Sequence, residues 1–257
     1  MKKFLNLYSF SIGMLALMEL QNAIGELLPV EEVIVSYRKT LLPESLLPFL
    51  VASKFLAALV LIIPRYFQLK EWVFAGILID IVGAGVSYLL AGAFDAFGLY
   101  MVPPALLVWW FAYYQFRKYI KSVSYTLPAE TDKKWRIFAY PFAIVMIAIG
   151  IGELTHSPSV VDSLNLLNLP VHIVYIVGIA KILGGLALLA PGMITIKHWA
   201  YAGFAFDFAG ALYLYLYGGH FVVFDLSTIF ILSALMTYSY VLLSRKSTQV
   251  ASNQLMA

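Results

Sequence analysis

Apolar runs of about 20 residues, the length that crosses roughly 30 Å of hydrocarbon, recur along this chain with charge, proline or glycine between them. Eight are expected to be membrane-spanning helices: Phe4 to Leu28, Leu46 to Pro64, Trp72 to Ala93, Phe97 to Phe116, Ile137 to Gly152, Val171 to Ala190, Trp199 to Tyr217 and Phe221 to Leu243. A soluble fold has no place for so many. The chain is 62% hydrophobic and 12% charged, against roughly 45–50% and 25% in an ordinary soluble domain. Its 17 basic and 14 acidic side chains would leave most of a folded surface apolar in water, a problem that a lipid bilayer removes. The absence of cysteine excludes disulfides, thiolate nucleophiles and cysteine-ligated metals, and a net charge of +3 is too small to suggest nucleic-acid binding.

The first run imitates a secretory signal, with Lys2 and Lys3 ahead of it and Ala23-Ile24-Gly25 as a loose cleavage site. Glu19 and Gln21 inside it, and an internal counterpart later in the chain, favour a retained span. With eight spans both termini share one side. Lys2, Lys3, Arg65, Lys70, Arg117, Lys118, Lys121, Lys133, Lys134, Arg136, Lys197, Arg245 and Lys246 then fall on that side, and only Arg38 and Lys39 on the other. Basic residues accumulate on cytoplasmic connections, so both termini are expected in the cytoplasm, with the cell (plasma) membrane as the location.

Set against itself at an offset of 127 residues, the chain aligns without a gap. Gly25-Glu26-Leu27 meets Gly152-Glu153-Leu154, Lys54 meets Lys181, and Pro64, Lys70 and Trp72 meet Pro191, Lys197 and Trp199. Asp80, Gly83-Ala84, Tyr88 and Gly92 meet Asp207, Gly210-Ala211, Tyr215 and Gly219. Shared apolar bias does not register Lys, Asp, Trp, Pro and Glu. The expected architecture is an all-α integral membrane protein, two tandem four-helix bundles related by a pseudo-two-fold axis along the membrane normal. The first repeat is expected over 1–117, the second over 135–257, and the polar stretch 118–134 with Pro128 reads as a cytoplasmic linker.

The run from Gly178-Ile179-Ala180-Lys181 through Gly184-Gly185 to Pro191, then Lys197-His198-Trp199, Asp207 and Gly210-Ala211, resembles the signature of DoxX-like membrane proteins. A weaker copy runs from Ser53-Lys54-Phe55-Leu56 through Lys70-Glu71-Trp72 to Asp80. The resemblance implies four-helix membrane units, in a family named after a membrane subunit of a thiosulfate:quinone oxidoreductase. It thereby implies a redox-enzyme partner, with quinone as a possible cofactor. Two features depart from the family: two units stand in place of one, and Tyr88 and Tyr215 occupy a position where many members carry histidine.

Ionisable side chains inside a bilayer are costly unless paired or hydrated, so they mark the candidate site. At 1.5 Å per residue, Lys54 lies about 12 Å below the outer end of its span, and Asp80 about 12 Å above the inner end of the next. They can meet near the midplane, and Lys181 and Asp207 likewise. Such pairs read either as structural locks or as a ligand or proton site. Glu26 and Glu153, near the outer ends of the first helices, compete for the same lysines. Glu19 has no acidic counterpart, because Met146 occupies its position. Tyr88 and Tyr215 are candidates for stacking on a lipophilic ring, while the clusters Trp109-Trp110, Tyr113-Tyr114 and Tyr213, Tyr215, Tyr217 read more simply as core packing and interfacial belts. His156, His172, His198 and His220 lack metal-ligand spacing, so no metal centre is expected.

No Walker loop, Rossmann glycine pattern or catalytic triad is present in the sequence. The leading reading is a non-catalytic subunit or scaffold of a quinone-linked redox complex. Second comes a small-solute or proton-coupled transporter using the Lys/Asp pairs, and third a quinone-binding membrane enzyme.

Overall fold

The computed structural model describes residues 2–28, 31–64, 66–127 and 133–244. Arg65, Pro128, Arg245 and Lys246, used in the charge and linker readings, lie outside the described residues, as do the side chains of Lys2, Lys3 and Lys133. Among the described residues all regular structure is helical. The helices are α1 (Lys2–Leu27), α2 (Glu31–Lys39), α3 (Leu47–Ile62), α4 (Phe67–Leu90), α5 (Phe97–Ser122), α6 (Lys133–Leu154), α7 (Pro158–Leu167), α8 (Ile173–Leu189), α9 (Ile194–Tyr217) and α10 (Val223–Ser244).

A helix occupies each of the eight apolar runs. Five stretches are long and apolar enough to cross a membrane: Glu44–Ile62, Phe67–Leu90, Phe97–Ser122, Lys134–Leu154 and Val223–Ser244. Of the rest, α8 is a shorter apolar helix of 17 residues, and α9 has its apolar character diluted by Lys197, His198, Asp207 and four tyrosines. Large apolar side chains cover the outer surface: Leu56, Leu59 and Ile62 on α3, and Leu107 and Trp110 on α5, are exposed. Water would penalise such a surface and lipid would not. The fold is that of an integral membrane protein.

Several helix ends differ from the hydropathy reading. The helices α4 and α9 begin at Phe67 and Ile194, five residues before the expected Trp72 and Trp199. Likewise α5 continues to Ser122, into the stretch read as linker. Hydropathy marks only the segment suited to hydrocarbon, whereas backbone hydrogen bonding continues through polar turns beyond it. Two helices were not expected at all. Both α2 and α7 are short and amphipathic, burying Ser36 and Tyr37 in one and Leu164 in the other, and a nine- or ten-residue amphipathic segment carries no spanning signal.

Helix boundaries recur at an offset of 127 residues. Adding 127 to Leu27, Glu31, Phe67 and Leu90 gives Leu154, Pro158, Ile194 and Tyr217, the matching ends of α6, α7 and α9. Turns recur too: Gly92 (φ 69°) and Gly219 (φ 68°) end α4 and α9, and Leu41 (φ 61°) corresponds to Asn168 (φ 53°). At the glycines the left-handed conformation lets Ala93 N–H bond to Tyr88 O and His220 N–H to Tyr215 O, both at 2.9 Å, closing each helix end.

The chain forms two compact units, Met1–Tyr125 with Val161–Ile176, and Thr126–Val160 with Val177–Ala257. In the first, α1 packs on α3 and α5, and α4 on α5. Its core joins Leu15, Ala16 and Ala23 to Phe74, Ala112 and Phe116, with Phe74 stacked on Phe116 at 5.1 Å. In the second, α10 packs on α6 and α9. Its core holds Trp135, Phe142 and Met146 with Tyr201 and Phe204. Here α6 and α8 cross at glycine: a Cβ on Gly150 would lie 2.6 Å from the carbonyl oxygen of Gly178, an approach that only a missing side chain permits.

Candidate functional site

In the first unit three helices each contribute one charged side chain to a common centre. From α3, Lys54 donates to Glu26 Oε1 on α1, and its Nζ lies 3.6 Å from Asp80 Oδ2 on α4. The second unit repeats the arrangement. Lys181 on α8 donates to Glu153 Oε1 on α6, with Asp207 Oδ2 on α9 at 3.3 Å. Both expected Lys–Asp contacts are present, and in each unit a glutamate joins them as the nearer partner of the lysine, the aspartate being the longer contact. A lysine side chain spans several ångströms, so depth along the helix did not decide between the two acids.

The groups are unequally sheltered. Side-chain exposure is 9% for Lys54 and 15% for Glu26, but 31% for Asp80. In the second unit it is 11% for Lys181, 12% for Glu153 and 23% for Asp207. The aspartate is therefore the open side of each triad. Glu26 Oε2 and Glu153 Oε2 are buried and make no hydrogen bond with the described residues. Glu19, 3% exposed on α1, feels the charges of Asp80, Lys54 and Glu26, whereas Met146, fully buried, takes its place in the second unit.

The tyrosine pair is buried within the fold. Tyr215 donates to Asp225 Oδ2 at 2.6 Å. At the position matching Asp225 the first unit has Gly98, where a Cβ would collide with the Tyr88 ring, and the Tyr88 hydroxyl engages Ser36 on α2 instead. With 9% and 4% exposure, Tyr88 and Tyr215 offer little face to a ligand. Trp109 is a core residue that donates to Phe74 O at 2.8 Å, while Trp110 and Tyr114 stack at 6.0 Å on the exposed side of α5.

A second polar cluster escaped the sequence reading. Fully buried Glu71 accepts from Arg117 at 2.6 Å and from Tyr113 at 3.3 Å. Beside it Lys70 donates to the Tyr8 hydroxyl at 3.1 Å, and Tyr8 stacks on Tyr119 at 4.2 Å. In the second unit His198 replaces Glu71 and meets Tyr240 at 3.3 Å, while Lys197 lies 4.4 Å from the centroid of the Trp135 ring, Trp135 matching Tyr8. The signal was present, since a Glu in the first turns of an apolar helix with Arg at the end of another invites pairing.

Among the described residues no group of three His, Asp or Glu is placed to hold a metal ion. His172 instead meets Ser87 at 3.0 Å.

Helix content, outward apolar surface and internal charged centres define an all-helical integral membrane protein. Within it, residues 137–237 match the model of the DoxX-like family, so the stretch that carries Glu153, Lys181 and Asp207 is a DoxX-like segment. No curated protein and no solved structure matches the chain.

Proposed function

We propose that the protein has eight spans in two tandem DoxX-like repeats, 1–117 and 135–257, joined by the cytoplasmic linker 118–134, with both termini in the cytoplasm. Recurring helix ends, turns and triads at one offset support the duplication. In this reading each triad lies within the membrane and works as a proton-exchange centre of a proton-coupled carrier that has no catalytic turnover of its own.

One observation carries the reading: each buried lysine faces two carboxyl groups, and one glutamate oxygen in each triad has no hydrogen bond with the described residues. A purely structural lock gains from neutrality and from satisfying every buried polar atom. With one negative charge in excess, each triad instead offers a passing place for one proton, which enters at the more exposed aspartate and does not remain there at rest. The redox-subunit reading rests on the family resemblance, and the buried tyrosines add nothing to it.

The test is purified protein in liposomes enclosing a pH-sensitive dye. Proton flux under an imposed gradient is expected, falling at least tenfold in Asp80→Asn and Asp207→Asn. Absence of flux from wild-type protein would overturn the carrier and leave a membrane subunit whose activity needs a partner.

A further inference from the structure

The repeats agree at Glu26, Lys54 and Asp80 but part at Glu19, where the second unit has Met146. Glu19 precedes Glu26 by seven residues, two helical turns, and shares its face of α1. Counted from the outer ends of their helices, Glu19 lies about 12 Å deep, Lys54 about 10 Å and Asp80 about 15 Å. Glu19 is 3% exposed and lies within electrostatic reach of all three members of the triad. Two observations therefore converge: a carboxyl almost wholly removed from solvent on the face of α1 that carries Glu26, and a lysine already shared by two other acids.

Every element around the centre adds negative or neutral groups. Besides Lys54 from α3 there are Asp80 and Tyr88 from α4, Tyr37 from α2 and Glu26 on α1 itself. On α5, Tyr113 and Arg117 are engaged by Glu71. One ammonium cannot neutralise three carboxylates in a site with little water, and the charge is balanced most cheaply by a bound proton. A metal cation would need three acidic ligands placed together, which the described residues do not provide.

We propose that Glu19 is a proton-binding carboxyl found only in the first repeat, so that the two repeats are unequal: the first stores a proton that the second cannot. This deepens the proton-exchange reading and rests on it. In the step, a proton arriving on Asp80 Oδ2 is passed to Glu19. The O–H bond at Asp80 breaks, one at Glu19 forms, Asp80 becomes the carboxylate facing Lys54, and no electrons are transferred.

Infrared spectroscopy of the purified protein in nanodiscs, in light and heavy water, tests this. A carboxylic-acid carbonyl band is expected at neutral pH, shifted by deuterium, lost in Glu19→Gln and retained in Glu153→Gln. Met146→Glu should add a second band. Should Glu19→Gln fail to fold, wild-type protein carrying carboxyl-13C glutamate must show the band moved, whereas 13C aspartate must leave it in place. No band, a band that survives Glu19→Gln, or a band unmoved by labelled glutamate overturns the assignment. A Glu19-dependent band without liposome flux overturns the carrier and keeps Glu19 as a proton site, while flux without the band does the reverse.

Discussion

Lys181→Met is expected to cost about 3–5 kcal/mol of folding stability, because it strands Glu153 and Asp207 in a buried site without their cation. Unfolding of detergent-solubilised protein measures the loss. The deficit should shrink as pH falls, since the stranded carboxyls escape much of the penalty by taking up protons. Replacing all three groups, as Glu153→Gln, Lys181→Met and Asp207→Asn together, should recover most of the stability. A triple variant no more stable than Lys181→Met alone would show that the three groups do not act as a unit.

Arg117→Met should produce the next largest loss. Glu71 is fully buried and holds Arg117 at 2.6 Å, so removing the guanidinium leaves a carboxylate supported by the Tyr113 hydroxyl at 3.3 Å. The arginine side chain is 33% exposed, and water can partly replace it. An expected cost of about 2–3 kcal/mol therefore lies at the lower end for a broken buried pair. Glu71→Gln in the Arg117→Met background should recover most of it, because a neutral amide removes the stranded charge. Equal loss in the single and double variants would assign the effect to arginine packing instead.

The two clusters differ in how well they match at an offset of 127 residues. The lysine triads have every charge in both units, whereas His198 stands at the position matching Glu71 and Ser244 at that matching Arg117. Retained charge at the same internal positions is costly unless each group has a partner or a task. At the corresponding site in the second unit His198 contacts Tyr240 at 3.3 Å, so this position takes a different polar pair.

The sequence by itself determined the helical class, the eight apolar runs and the residues of both triads. Each depends on local pattern: periodic apolarity, prolines such as Pro64 and Pro191 just past helix ends, and charges placed by counting along a helix. Tertiary structure alone decided the partners. Depth brought Lys54 near Asp80, but rotation of α1 and α3 about their axes put Glu26 closer, and axial counting contains no such angle. The same limit hid Glu71–Arg117, whose members stand 46 residues apart. It also hid the exchange in which Tyr88 turns to Ser36 while Tyr215 finds Asp225, since one side chain at Gly98 would have closed the first route. Helix formation is set by neighbours in sequence, whereas a long side chain chooses its partner from whatever the packed helices bring within reach.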